Sequence, residues 1–194
     1  MVEPGSRKCK LFVGVDLSEN ARIRCVAVSQ ELRKTGFDAK YEAPEKLHVT
    51  LAFLGYVEPA RCQEIALTLN AVAASAKPFA VMLDKLGAFP HERRPRVVFV
   101  GAREQGAPFR TIAENVRDCY ARLGFDFRDD PVAHVTIARV KESKRPLPLI
   151  EFDPIRLDVE RFTLFESLPD PARRTSRYSI VADAPLQQIP SRRG

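Results

Sequence analysis

The sequence predicts an α+β protein. Three stretches carry apolar residues at helical spacing, and short β-branched or aromatic runs lie between and after them. The elements follow the order β-α-β-α-β-β-α-β-β-β, which is not the regular alternation of a parallel βαβ array. No glycine-rich phosphate loop of either common type is present.

Leu11–Val15 (LFVGV) reads as a first, buried strand. Ser18 is placed to cap a helix whose stripe includes Ile23, Val26 and Ala27 and which runs towards Arg33. Gly36 is its expected stop, since the residue after a helix often takes a positive φ. A second strand is expected over Lys46–Gly55, and Pro59 then opens a helix carrying Cys62, Ile65, Leu69 and Val72. Phe79–Leu86 and Arg96–Gly101 read as strands joined by the polar loop FPHERRP. Phe109, Ile112, Val116, Tyr120 and Leu123 form the apolar face of a third helix, capped by Gly124. His134–Val140 is a further strand, Pro146–Pro154 a loop, and Arg161–Phe165 and Tyr178–Val181 the closing strands. Residues 187–194 read as a flexible tail on a single domain spanning 1–194.

The 194 residues suffice for a real core, and 45% hydrophobic with 29% charged residues excludes a disordered or fibrous chain. The net charge of +6 favours polyanionic partners, a weak signal by itself. The four cysteines show no C-x-x-C spacing, and Cys62 and Cys119 fall on helical stripes, so buried free thiols in a reducing cytoplasm are expected. The N-terminus lacks the apolar segment of a signal peptide, and no apolar run has the roughly 18 residues of a membrane span. The expectation is a cytoplasmic monomer that does not bind membranes. Nothing resembles a metal-ligand cluster, so neither metal nor cofactor is expected.

One short motif occurs twice: His48-Val49-Thr50-Leu51 and His134-Val135-Thr136-Ile137, 86 residues apart (48 to 134). Alternate residues of a strand face opposite sides. Leu47, Val49, Leu51 and Phe53 are therefore expected to point into a core, with His48 and Thr50 on the other face. Likewise Val135 and Ile137 pack inward while His134 and Thr136 face out together. Two imidazole–hydroxyl pairs suit in-line displacement at phosphorus. One histidine takes a proton from water, and the other gives one to the departing sugar oxygen. The hydroxyls can hold the non-bridging oxygens, where charge grows. Arg139 could add a cation, but simple alternation puts it on the face opposite His134. It reaches a phosphate only if the strand twists, bulges or ends there.

These motifs resemble those of the two-histidine phosphoesterase superfamily. The longer strings LHVTLAFLG (47–55), LGAFPHERRPRVVFVG (86–101), AHVTIAR (133–139) and FTLFES (162–167) resemble its RNA 2′,3′-cyclic phosphodiesterase (2′-5′ RNA ligase) branch, over about Lys10 to Leu186. The resemblance implies a bilobal fold of two pseudo-symmetric lobes. Each lobe has an antiparallel sheet with helices outside, and the active site lies in the groove between them. It implies metal-independent hydrolysis of RNA 2′,3′-cyclic ends, or of small 2′,3′-cyclic nucleotides, to 2′-phosphomonoesters. It assigns His48 as proton donor, His134 as proton acceptor, and Thr50, Thr136 and Arg139 as phosphate ligands. The family's usual proline before the second motif is Ala133 here, which is expected to leave that approach less rigid.

His91, Arg93, Arg94 and Arg96 read as a solvated loop, Arg173, Arg174 and Arg177 as another, and Phe12 as core. Two alternatives stand beside hydrolysis. One is 2′-5′ joining of RNA ends in the same groove, disfavoured because water at about 55 M competes with a dilute hydroxyl. The other is a non-catalytic nucleotide- or RNA-binding module, against which stand two intact histidine motifs.

Overall fold

In a computed structural model, residues 7–187 are described apart from Gln105, Ser143 and Arg174. Ten strands and three helices follow in the order β1 (Cys9–Asp16), α1 (Glu19–Lys34), β2 (Lys40–Tyr41), β3 (His48–Val57), α2 (Cys62–Ser75), β4 (Phe79–Leu83), β5 (Lys85–Phe89), β6 (Val97–Gly101), α3 (Ala107–Ala121), β7 (His134–Arg139), β8 (Ile155–Val159), β9 (Arg161–Asp170) and β10 (Thr175–Pro185). Three helices among antiparallel strands make the expected α+β architecture.

An antiparallel sheet runs β10-β9-β1-β3-β7-β6-β5, with β2 added on β7. Its two halves, β10-β9-β1-β3 and β7-β6-β5, each carry one copy of the motif. They meet where Val49 of β3 stands opposite Val135 of β7, the middle residues of the two H-x-T sequences. Val49, Leu51, Val135 and Ile137 are buried on the face that the helices cover. α1 packs against β7, α2 against β9 and β10, and α3 against β3 and α2. The opposite face of the sheet stays open as a cleft.

The helix boundaries follow the local chemistry. The Ser18 hydroxyl accepts the Ala21 N–H, and Gly36 and Gly124 take φ of 68° and 86° just beyond α1 and α3. Pro59 opens a short 3₁₀ turn, and α2 follows from Cys62. The expected strand over 79–86 divides in two. β4 pairs with β8 in a separate two-stranded sheet, while β5 pairs with β6 in the main one. Asp84 marks the break: its N–H bonds the Gly101 carbonyl and its carboxylate accepts the Arg103 N–H. β8 has no counterpart among the elements expected from the sequence, although Ile155, Leu157 and Val159 alternate with Arg156 and Asp158 and are buried. Gln187, expected in the tail, bonds the Ala76 carbonyl through its N–H; residues 188–194 lie outside the described residues. Cys25 is buried, but Cys62 and Cys119 are only half-buried; Cys9, Cys25, Cys62 and Cys119 are all free thiols.

Gly14 lets β1 approach β3 closely. A Cβ there would lie 2.6 Å from the Val49 carbonyl oxygen, a backbone atom that cannot move aside. Gly14→Ala is expected to push β1 from β3 and cost roughly 1–3 kcal/mol, the usual range for overpacking, measured by urea denaturation.

Candidate active site

The open face holds a cleft of about 930 Å³ lined by His48, Thr50, His134, Thr136 and Arg139 together. All five residues singled out from the sequence thus come to one place. Each imidazole is fixed by its Nδ1. His48 Nδ1 lies 2.7 Å from the Lys46 carbonyl oxygen, and His134 Nδ1 lies 2.8 Å from that of Val132. A carbonyl only accepts, so Nδ1 carries the proton and Nε2 is the unprotonated nitrogen in both neutral rings. Thr50 Oγ1 lies 3.1 Å from His48 Nε2 and donates to it when the ring is neutral.

Arg139 reaches the cleft through a bulge. In the β6–β7 ladder, Val98 faces Ala138 but Phe99 faces Thr136, so Ile137 is the extra residue. Ile137 and Ala138 are both buried, alternation resets, and Arg139 emerges on the histidine side. β3 does the same at the matching position. Gly14 faces Thr50 and Val13 faces Ala52, leaving Leu51 unmatched. Phe53 is therefore not a core residue, as strict alternation predicts, but 54% exposed on the cleft. The repeat thus extends over six positions, HVTLAF and HVTIAR, with Phe53 in the place of Arg139. The signal is present in the sequence: adjacent apolar residues (Leu51-Ala52, Ile137-Ala138) interrupt the period of two in both copies.

Burial is the largest influence on both imidazoles. It holds His48 down at about 4, and His134 also lies below its ordinary value. The neighbouring charges differ. Asp16 and Glu42 favour a charged His48, while His134 opposes it; Arg139 disfavours charge on His134, against a smaller opposite effect of Asp129.

Sequence reasoning missed Glu42. Its carboxylate accepts from Lys46 Nζ at 2.6 Å and from Arg139 Nε at 2.9 Å, all at the cleft wall. Burial pushes its carboxyl up, but the two cations outweigh that and hold it below the usual range. No motif marks it, because it depends on β2 lying beside β7. An aromatic group packs on His48: Phe12 at 4.8 Å, Tyr178 at 5.2 Å and Phe165 at 5.8 Å between ring centroids. Phe12 is buried as expected, yet it supports the histidine. His134 has its own pair, Phe89 at 5.1 Å and Phe99 at 5.3 Å. Ala133 is fully buried and its carbonyl accepts the Ala102 N–H, which anchors the approach to β7 without a proline.

None of His91, Arg93, Arg94, Arg96, Arg173 and Arg177 is among the residues that line the cleft, although Phe89, Val97, Thr175 and Ser176 beside them are. His91 is exposed and accepts the Arg94 N–H at Nδ1; Arg96 bonds the Lys141 carbonyl, and Arg173 pairs with Glu45. Arg174 lies outside the described residues. Among the described residues no group of three or more His, Cys, Asp or Glu could hold a metal ion.

Residues 15–99, which include the first motif, match the model of the LigT like Phosphoesterase family. A Thermotoga maritima protein named RNA 2′,3′-cyclic phosphodiesterase is 30% identical over 166 residues, 84% of this chain and 88% of that protein. The fold superposes on a Thermus thermophilus crystal structure with a TM-score of 0.78 at 29% identity, covering 92% of this chain and 98% of that one. It also superposes on E. coli LigT complexed with 3′-AMP, with a TM-score of 0.73 at 25% identity over 93% and 99% of the two chains.

The depressed His48 value makes stability depend on pH. Between pH 6.5 and about 4 the unfolded chain binds a proton that the folded protein does not. Stability present above 6.5 is therefore lost as the pH falls through this window. Over it, the wild type is expected to lose about 3 kcal/mol more than His48→Asn, by urea denaturation across the pH series.

Proposed function

Because this chain belongs to the LigT-like phosphoesterase family and carries both histidine motifs in one cleft, we propose that it hydrolyses RNA 2′,3′-cyclic phosphodiester ends to 2′-phosphomonoesters. The observation that carries the reading is the pairing of Val49 with Val135. It presents two Nδ1-anchored imidazoles on the same open face, from adjacent antiparallel strands.

The cyclic phosphate sits between them. His134 Nε2 takes a proton from water as the oxygen attacks phosphorus. His48 Nε2 gives its proton to the 3′-oxygen as the P–O3′ bond breaks. The products are a 3′-hydroxyl and a 2′-phosphate, and the proton balance between the rings is restored by solvent. Thr50, Thr136 and Arg139 hold the non-bridging oxygens. The unequal surroundings support this assignment of roles. Arg139 favours an uncharged His134, as a base requires, and Asp16 and Glu42 favour a charged His48, as an acid requires. Burial leaves the free His48 neutral, so the bound phosphate anion supplies the field that charges it. No step calls for a metal ion, and turnover is expected to continue in excess chelator.

The reading treats the chain as one domain of two intertwined lobes acting as a monomer, because both motifs lie on a continuous sheet of a single chain. It also places the protein in the cytoplasm. The free thiols support that, and no helix among the described residues is long and apolar enough to cross a membrane.

Phosphorus NMR of an RNA ending in a 2′,3′-cyclic phosphate is expected to show conversion to a 2′-monoester. An unchanged cyclic signal would sink the reading. His48→Ala and His134→Ala should each lower kcat by about 10²–10⁴, the usual worth of a positioned acid or base. The kcat/KM profile reports the free enzyme. Its bell is expected to centre below the ordinary histidine value of 6.5, because both folded values are depressed, and kcat should move to higher pH once phosphate is bound.

A further inference from the structure

Lys10 and Tyr56 are opposed across β1 and β3, one step beyond the Phe12–Phe53 pair that borders the cleft. Tyr56 is 71% exposed, and Phe53 is exposed beside it. Lys10 Nζ sits 5.5 Å from the Phe53 ring centre and 5.7 Å from that of Tyr56. The cleft continues here into a second groove, with Lys10, Ser167 and Ser176 common to both. Arg7 and Lys8 line its outer part. Two exposed aromatic rings sharing Lys10, with Arg7 and Lys8 lining the groove that continues from the cleft, match the two requirements of single-stranded nucleic acid: stacking surfaces for bases and positive charge for the backbone. Core packing does not explain the exposed rings, and chance exposure does not explain why they flank a shared lysine.

Charge decides between the exits. The rim at residues 126–130 presents Asp126, Asp129 and Asp130, and its Arg117 is bound to Asp129. At the β2 side, Glu42 holds both Lys46 and Arg139. On the Lys10 side, among the described residues, the one carboxylate in an ion pair is Glu58, 2.8 Å from Lys8, in an exposed bridge that a phosphate can displace at little cost. His48 and Tyr56 are eight residues apart on β3, about 25 Å of strand, enough for several nucleotides.

Resting on the phosphodiesterase reading, we propose that the RNA strand leading to the reacting end lies along β1 and β3, its bases on Phe53 and Tyr56 and its phosphates near Lys10, Lys8 and Arg7. The bulge at Leu51 makes this track possible by turning Phe53 outward. In the second motif the same turn delivers Arg139 to the phosphate. Both halves of the sheet thus hold the reacting group, and the β1–β3 half also holds the chain attached to it.

The test compares a 2′,3′-cyclic mononucleotide with an RNA decamer ending in the same cyclic nucleotide. Tyr56→Ala and Lys8→Ala, both at exposed positions, should lower kcat/KM for the decamer by about tenfold each while leaving the mononucleotide unchanged. The salt dependence of decamer turnover should also weaken in Lys8→Ala. Equal effects on both substrates, or none on the decamer, would overturn the track while leaving the hydrolytic reading intact. Failure of the wild type to open either substrate would overturn the hydrolytic reading. The track then stands or falls on anisotropy of a labelled decamer with a 2′-phosphate end: weaker binding by Tyr56→Ala and Lys8→Ala supports it, and unchanged binding overturns it.

Discussion

Val49 stands opposite Val135, and the chemistry of the cleft depends on that contact. An antiparallel pair in this register sets His48 and His134 on one face as diagonal neighbours, roughly 7–8 Å apart at Cα by ordinary sheet geometry. Each valine side chain points the other way, into the core beneath the helices. A slip of one residue in either strand would bury an imidazole among aliphatic side chains and expose a valine. The core therefore enforces the register that brings the two histidines onto one face. Gly14, packed against the Val49 carbonyl, holds the same strand from its other edge.

The cleft is built to favour neutral histidines. Aromatic rings pack on both imidazoles, burial depresses both, and carbonyl oxygens fix both by Nδ1. This leaves both Nε2 atoms unprotonated in the free protein, that of His48 accepting from Thr50, which suits a proton acceptor but not a donor. The proposed division into acid and base draws on the flanking charges, carboxylates by His48 and Arg139 by His134. In that proposal the substrate's own anion completes the asymmetry. Glu42 has a double role: it favours charge on His48, and it binds Arg139 at the same wall.

Much of this is legible in the sequence, because it rests on local patterns. The repeated H-x-T places four side chains, and the cap and stop residues Ser18, Gly36 and Gly124 bound two helices correctly. Period-two reasoning fails where it meets a bulge. It assigns Phe53 to the core and Arg139 to the wrong face for one reason: Leu51 and Ile137 each add a residue to a strand. The split of residues 79–89 between two sheets is invisible because it depends on which partners β4 and β5 find far along the chain. Glu42 and Tyr178 escape notice because they enter the cleft from beside β2 and from β10, with no motif of their own.

The protonation of the two rings tests the central claim most directly. Nitrogen-15 NMR of the imidazoles, recorded near pH 7 with and without a bound 2′-phosphorylated nucleotide, separates the tautomers and reports charge. Both rings should be neutral Nδ1–H tautomers in the free protein, and His48 should become an imidazolium when the phosphate binds while His134 stays neutral. An Nε2–H tautomer in either ring, or no response of His48 to the nucleotide, would contradict an acid and a base set by this register.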